Sequence, residues 1–213
     1  ILHETHRRGE IFNLMFHPEL ASFCEAPFEV VLEEARSLTP WVWLARLHEV
    51  SAWWKEKAGF WAAVEQAGER LAVRLHCTPR ATILGRGFDP AGQGSRWDDT
   101  YWRLDTHRVV LDDPVLPFVG LPNGAPEWAD AALRSMGYLV ETGEAAGECS
   151  LVLDAAALGR LTTPRALIDH VEGSPGRLVR FWPWPDGARS TLCITGDLDA
   201  LSLADYANRL LKR

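Results

Sequence analysis

Residues 190–199 have the sequence STLCITGDLD, an apolar run that ends in two acidic residues. We predict a buried strand over 191–195, because a short apolar run bounded by turn formers is typical of strands in a sheet core. A loop follows at 196–199. In α/β folds, functional residues lie beyond the carboxyl ends of parallel strands. The stretch therefore predicts an α/β architecture and makes Asp197 and Asp199 candidate site residues.

A second apolar run ends in a histidine. Residues 11–19 have the sequence IFNLMFHPE, and we predict a buried strand over 11–16 that His17 follows directly. The segments after it alternate between helical and strand patterns, which indicates a fold with parallel strands. They are a helix that contains Phe28, Val31, Leu32 and Ala35, a strand near 42–44 and a helix over 47–57.

The composition is that of an ordinary folded protein. Hydrophobic residues make up 47% of the 213 residues and charged residues 24%, and the net charge is −7. No basic run stands out, so neither a nucleic acid nor an anionic membrane is favoured as a partner. No stretch reaches the ~20 apolar residues that cross a bilayer, so we expect no membrane span.

The four cysteines, Cys24, Cys77, Cys149 and Cys193, are widely spaced and form no C-x-x-C pair. We expect isolated thiols rather than a cysteine-based zinc site, which weakly favours a soluble, cytoplasmic protein. The chain begins with Ile1, without an initiator Met or an apolar signal segment, so we expect it to be cut from something longer.

Three segments differ in their pattern. Residues 1–59 alternate helix and strand, residues 60–115 contain short strands and a hairpin, and residues 116–213 return to mixed helices and strands. In the last segment, Thr163 is the expected N-cap of a helix that starts at Pro164. We therefore predict a β-rich, sandwich-like central module between two α/β segments.

Acid–base chemistry is possible at both strand ends. A D-x-D pair such as Asp197 and Asp199 can hold a divalent cation or supply a general base. His17 can act as an acid or base near neutral pH. Each has a simpler alternative, because an acidic residue is a common helix cap and a histidine can be purely structural.

These two stretches resemble the polysaccharide deacetylases of the NodB-homology type. Thr195, Asp197 and Asp199 match the T-x-D-x-D ending of that family's opening strand, and Met15-Phe16-His17 resembles its late L-x-H motif, with Met in place of Leu. The resemblance covers residues 1–58 and 178–213, less than half of the chain. It implies a distorted (β/α) barrel, so that partial barrel-like elements are expected at both ends of the chain.

The resemblance also implies an activity, the hydrolysis of N- or O-acetyl groups on an acetylated polysaccharide, assisted by a divalent metal such as zinc. It implies that Asp197 is the general base, His17 the general acid and Asp199 a metal ligand. Met15 belongs to the implied acetyl pocket, and Trp184, just before the opening strand, is the second candidate substrate contact.

The sequence departs from the family in two ways. The H-x-x-x-H motif that completes the metal site is absent from these 213 residues, and the late motif precedes the opening one. We therefore expect the chain alone to be inactive or very weak, since two carboxylates hold a metal poorly. Because the first and last strands of a barrel are neighbours, we predict that 191–195 lies parallel beside 11–16.

Two other functions compete with deacetylation. A non-catalytic carbohydrate-binding or interaction module would use a surface of aromatic residues, for which we name Trp97, Tyr101, Trp102, Trp182 and Trp184. A different sugar-active enzyme would use a pair of carboxylates from Asp98, Asp99, Asp112 and Asp113, although loop solvation explains these acids more simply.

Overall fold

The computed structural model describes residues 1–17, 21–67, 70–90 and 92–196. In chain order the helices are α1 (Leu2–Arg8), α2 (Ala21–Ser37), α3 (Leu47–Lys57), α4 (Glu127–Ser135), α5 (Ala155–Arg160) and α6 (Pro164–Gly173), and a 3-10 helix spans Gly143–Glu148. The strands are β1 (Ile11–Phe16), β2 (Val42–Ala45), β3 (Trp61–Ala67), β4 (Arg70–His76), β5 (Ile83–Arg86), β6 (Gly94–Arg96), β7 (Trp102–Leu104), β8 (Arg108–Leu111), β9 (Leu116–Leu121), β10 (Val140–Thr142), β11 (Cys149–Val152), β12 (Leu178–Phe181) and β13 (Ser190–Gly196).

The chain divides into two compact units. Unit 1 consists of Ile1–Ala52 together with Ala188–Arg213, and unit 2 consists of Trp53–Gly187. Helices and strands are mixed in the fold, as predicted, and the described strands form three- and four-stranded sheets without closing into a barrel. Within the described ranges, no helix is both long enough and apolar enough to cross a membrane.

Unit 1 is built on a three-stranded parallel sheet in the order β1-β13-β2. The register pairs Ile11 with Thr191 and continues to Phe16 with Gly196, so the predicted parallel pairing of these two segments is confirmed. Leu192 on β13 is buried in a core with Ala35 of α2. The apolar residues spaced along α2 therefore cover one face of this sheet, as an amphipathic helix should.

Unit 2 combines antiparallel and parallel sheets. The predicted hairpin is present as β3 and β4, and β8 extends it to a three-stranded antiparallel sheet. A second antiparallel sheet has the order β12-β5-β7-β6, and a parallel sheet has the order β10-β9-β11. The helix at Pro164 also starts as predicted, because the Thr163 side chain accepts a hydrogen bond from the Ala166 amide.

The boundaries of these units differ from the three predicted segments. β12, at residues 178–181, pairs antiparallel with β5, at residues 83–86, so the β-rich segment 60–115 shares a sheet with residues far along the chain. Residues 60–115 and the part of 116–213 up to Gly187 therefore belong to one unit. The pairing of β5 with β12 joins residues that are far apart in the chain, and a local sequence pattern does not reveal such a pairing.

Candidate functional site

The carboxyl ends of three strands in unit 1 meet at one edge of the sheet. β13 lies between β1 and β2 and is parallel to both, with Phe16 opposite Gly196 and Cys193 opposite Ala45. His17 follows the last residue of β1 directly. The other two acid–base candidates, Asp197 and Asp199, lie outside the described residues. The structure thus brings together the two strands that carry the predicted residues.

One face of this sheet is open in the described part of the chain. Along β1 the more exposed residues alternate with the less exposed ones, and Met15 is 61% exposed. Asn13, two residues earlier on the same face, accepts a 3.4 Å hydrogen bond from the Thr195 hydroxyl of β13. Met15 is therefore accessible to a ligand, as its predicted role requires. Asn13 is a polar neighbour of Thr195 that the sequence motifs did not identify.

The other end of β13 holds a buried histidine. The Nδ1 atom of His6 lies 2.9 Å from the Ser190 hydroxyl, at the amino end of β13, and His6 is 6% exposed. Burial lowers the pKa of His6, with smaller contributions from Arg189 and His3 that act in the same direction. His3 instead lies on the surface with its Nε2 atom 2.8 Å from Glu34. His6 is therefore a core residue of unit 1, distant along β13 from the predicted site.

The aromatic surface proposed for sugar binding is mostly core. Trp97, Tyr101 and Trp182 are each at most 8% exposed. Trp184, the second predicted substrate contact, is 1% exposed, and its ring centroid lies 6.0 Å from that of Trp54. Residue type alone predicted that these rings would form a binding surface. The strands and turns that carry them direct the rings into the interior of unit 2. In this structure the Trp184 ring is enclosed and does not face solvent.

Three of the four acids considered for a glycosidase, Asp98, Asp112 and Asp113, have structural partners. Asp98 Oδ1 accepts hydrogen bonds from the amides of Thr100 and Tyr101 at 2.9 and 2.8 Å, which closes a turn. Asp112 forms an ion pair with Arg70, and Asp113 with Arg177. Turn capping and ion pairing are thus the roles that the geometry supports for these acids.

Unit 2 contains an open cleft that was not foreseen. It has a volume of about 520 Å³ and is lined by the end of α3, the start of β3 and the segment around α4 and β10. Trp54 and Trp61 line it and are 45% and 54% exposed. Such a volume is typical of sites for small ligands.

Lys57 is one of the cations that line this cleft. Its ammonium group donates a 2.6 Å hydrogen bond to the Ser135 carbonyl and lies 5.9 Å from the Trp54 ring centroid. Burial, together with a smaller effect of the nearby Arg180 charge, lowers the pKa of Lys57 to about 8. Arg134 and Glu141 also line the cleft, so hydrogen-bonding groups accompany the aromatic rings.

The described residues contain no group of three or more His, Cys, Asp or Glu side chains that could hold a metal ion. All four cysteines lie within the described ranges and are free thiols, Cys149 and Cys193 being buried and Cys24 and Cys77 partly buried. Asp199, the predicted metal ligand, is not among the described residues. The residues that are described do not form a metal centre.

Comparison of the chain with models of protein families, with curated proteins and with solved structures finds no match.

Proposed function

We propose that this chain is part of a polysaccharide-deacetylase-like hydrolase that removes N- or O-acetyl groups from carbohydrate. The observation that carries the proposal is the parallel pairing of β1 with β13, in which Phe16 is opposite Gly196. The two stretches that resemble family motifs are about 180 residues apart in sequence, yet their strands are neighbours with carboxyl ends at one edge. Functional residues of parallel α/β sheets lie at that edge.

The open face of the sheet is a second support. Strands of parallel sheets are usually covered on both faces. Here α2 covers one face, while the face that carries Asn13 and Met15 is accessible in the described part of the chain. A few strands taken from a (β/α) barrel would present such a face, because the remaining strands enclose it in the complete barrel. We therefore propose that the sheet of unit 1 is a partial barrel.

In the proposed reaction the chain supplies an acid and a base. Asp197 accepts a proton from the water that attacks the acetyl carbonyl, and His17 gives a proton to the sugar nitrogen or oxygen that leaves. Acetate and the free amine or hydroxyl are the products. Met15, on the open face just before His17, contacts the methyl group of the acetyl substituent.

A divalent metal, zinc or similar, is part of the proposal only through the family resemblance, with Asp199 as its ligand. The described residues form no metal-binding group, and the H-x-x-x-H motif is absent from the sequence. A hydrolase site without that Lewis acid would be very slow, because polarisation of the carbonyl contributes several kcal/mol to such reactions.

Acetate release is the direct test. We would incubate the chain with a soluble N-acetylglucosamine hexamer and with acetylated xylan, with and without added Zn²⁺, and measure acetate over days. We expect slow release that His17→Ala and Asp197→Asn both abolish and that Trp41→Ala leaves unchanged. Release that persists in both variants would contradict the assignment. Binding of either glycan without acetate release would favour the alternative function, a non-catalytic carbohydrate-binding module.

A further inference from the structure

The two exposed tryptophans of the cleft in unit 2 are each supported by a second ring. Trp61 stacks on His76 with ring centroids 3.7 Å apart and planes inclined by 3°. Trp54 contacts the buried Trp184 ring at 6.0 Å. Since His76 covers one face of Trp61, the 54% exposure of Trp61 requires its opposite face to be open. Both rings are therefore held in place while they remain accessible.

Flat, fixed and accessible rings suit one class of ligand particularly well. The face of an indole matches the C–H face of a pyranose, and a ring already held in position loses little conformational entropy on binding. An exposed tryptophan that no second ring supports would lose more conformational entropy on binding. The supporting rings of His76 and Trp184 thus make Trp61 and Trp54 candidate sugar platforms.

The polar groups of the cleft favour a sugar over an apolar segment of protein. Lys57, Arg134 and Glu141 all line it, and an apolar partner would bury their charged groups without supplying hydrogen bonds. A glycan supplies hydroxyl and carbonyl oxygens for such groups. The Lys57 ammonium, which already donates to the Ser135 carbonyl, has further N–H donors for an acceptor oxygen of the ligand.

We infer that the cleft between Trp54 and Trp61 binds a pyranose oligosaccharide, with sugar rings stacked on the two indoles and an acetamido or carboxylate oxygen accepting a hydrogen bond from Lys57. This is a binding site in unit 2 and requires no chemistry at the sheet edge of unit 1. Failure of acetate release and failure of this binding are therefore separate results.

Calorimetric titration of the whole chain tests the inference, with an N-acetylglucosamine hexamer, a cellohexaose and an oligogalacturonate as probes. We expect at least one to bind, and Trp61→Ala and Trp54→Ala to weaken that binding about tenfold each, the equivalent of one lost ring contact. Trp61→Phe, which keeps a ring, should stay within about threefold. The matched control is Trp41→Ala, because Trp41 lies in unit 1 and is 44% exposed, close to the 45% of Trp54.

A variant of Lys57 tests the proposed hydrogen bond to the ligand separately from the ring contacts. If its ammonium donates to the ligand, Lys57→Met should reduce the preference for the acetamido or carboxylate probe over cellohexaose, which has neither group. Where an alanine variant does not fold, ¹⁵N spectra of the unmodified chain test the same binding site. The indole N–H signals of Trp54 and Trp61 should shift first when the oligosaccharide is added. Absence of binding to all three probes, or shifts confined to other tryptophans, would overturn the inference.

Discussion

The Nδ1 atom of His6 lies 2.9 Å from the hydroxyl of Ser190, inside unit 1 at the amino end of β13. The pair joins the first helix to a strand that is about 180 residues later in the sequence. His6 is buried at the amino end of β13, whereas His17 follows β1 at the carboxyl edge of the same sheet.

This burial gives unit 1 a dependence on acid pH. The pKa of His6 is lowered from 6.5 in the folded chain, so the unfolded chain binds the proton more readily. The contribution of His6 is complete above pH 6.5 and is lost as the pH falls below it, by at most about 1.4 kcal/mol per pH unit. Urea unfolding at pH 7, 6 and 5 should show that His6→Asn is less sensitive to acid than the parent. Equal slopes, or the same change in the exposed His3→Asn control, would contradict this.

Among the described residues of unit 2, Arg180 is the most deeply buried charge. It is 1% exposed, and its Nη1 atom donates hydrogen bonds to Glu172 Oε1 and the Tyr138 hydroxyl at 2.6 and 2.7 Å. Burial opposes its charge, yet the interactions with Tyr138 and Glu172 outweigh that effect and raise the pKa of Arg180. The network therefore holds a permanent cation within the unit.

Removal of this arginine should be costly. We expect Arg180→Met to lower the free energy of unfolding by about 3 kcal/mol, because the remaining partners lose a charged donor that water only partly replaces. The double variant with Glu172→Met should lose less than the sum of the single changes. Arg70→Ala, in an exposed ion pair with Asp112, is the control and should cost under about 1 kcal/mol. Equal losses for Arg180→Met and Arg70→Ala in urea titrations would refute this role.

Gly137 ends the α4 region in a conformation that only glycine adopts easily. Its φ is +81°, and a Cβ atom there would lie 1.7 Å from the Phe181 carbonyl oxygen. Gly137→Ala should therefore destabilise the fold by more than about 2 kcal/mol, the sum of left-handed strain and a backbone clash. Gly159→Ala in α5 has no atom within 4 Å of its new Cβ and should stabilise by about 0.5 kcal/mol. Thermal unfolding of both variants checks the prediction, and similar shifts would contradict it.

The sheet of unit 1 could be predicted because its information is local. Each apolar run ends in polar residues, and the family resemblance supplied the neighbour relationship of first and last strands. β9 was missed, since Pro117 and Gly120 are residues that usually interrupt strands. Gly120 is required there because a Cβ would lie 2.3 Å from the Ala146 carbonyl oxygen. Such a close approach depends on tertiary packing and leaves no periodic pattern.

The cleft of unit 2 was missed for a related reason. The exposure of each tryptophan depends on strand pairing, so residue type alone selected buried rings such as Trp97 and Trp182. A hairpin was predicted here, but with 66–69 as its loop, which would place Glu65 opposite Arg70. The observed register pairs Ala67 with Arg70 and Trp61 with His76, so the predicted pairing was shifted by two residues. The contacts of Trp54 and Lys57 with residues beyond 130 could not be obtained from a local pattern.

The central claim is that His17 and Asp197 lie together at the carboxyl edge of the β1-β13 pair. Replacing both by cysteine, in a chain whose Cys24 and Cys77 are serine, allows a disulfide only if their Cα atoms approach within about 7 Å. The control pairs Asp197→Cys with Glu10→Cys, at the opposite end of β1 and about 20 Å away at roughly 3.3 Å per residue. Peptide mass spectrometry after mild oxidation should find the 17–197 disulfide and no 10–197 disulfide. Absence of the 17–197 disulfide, or equal yields of both, would contradict the claim.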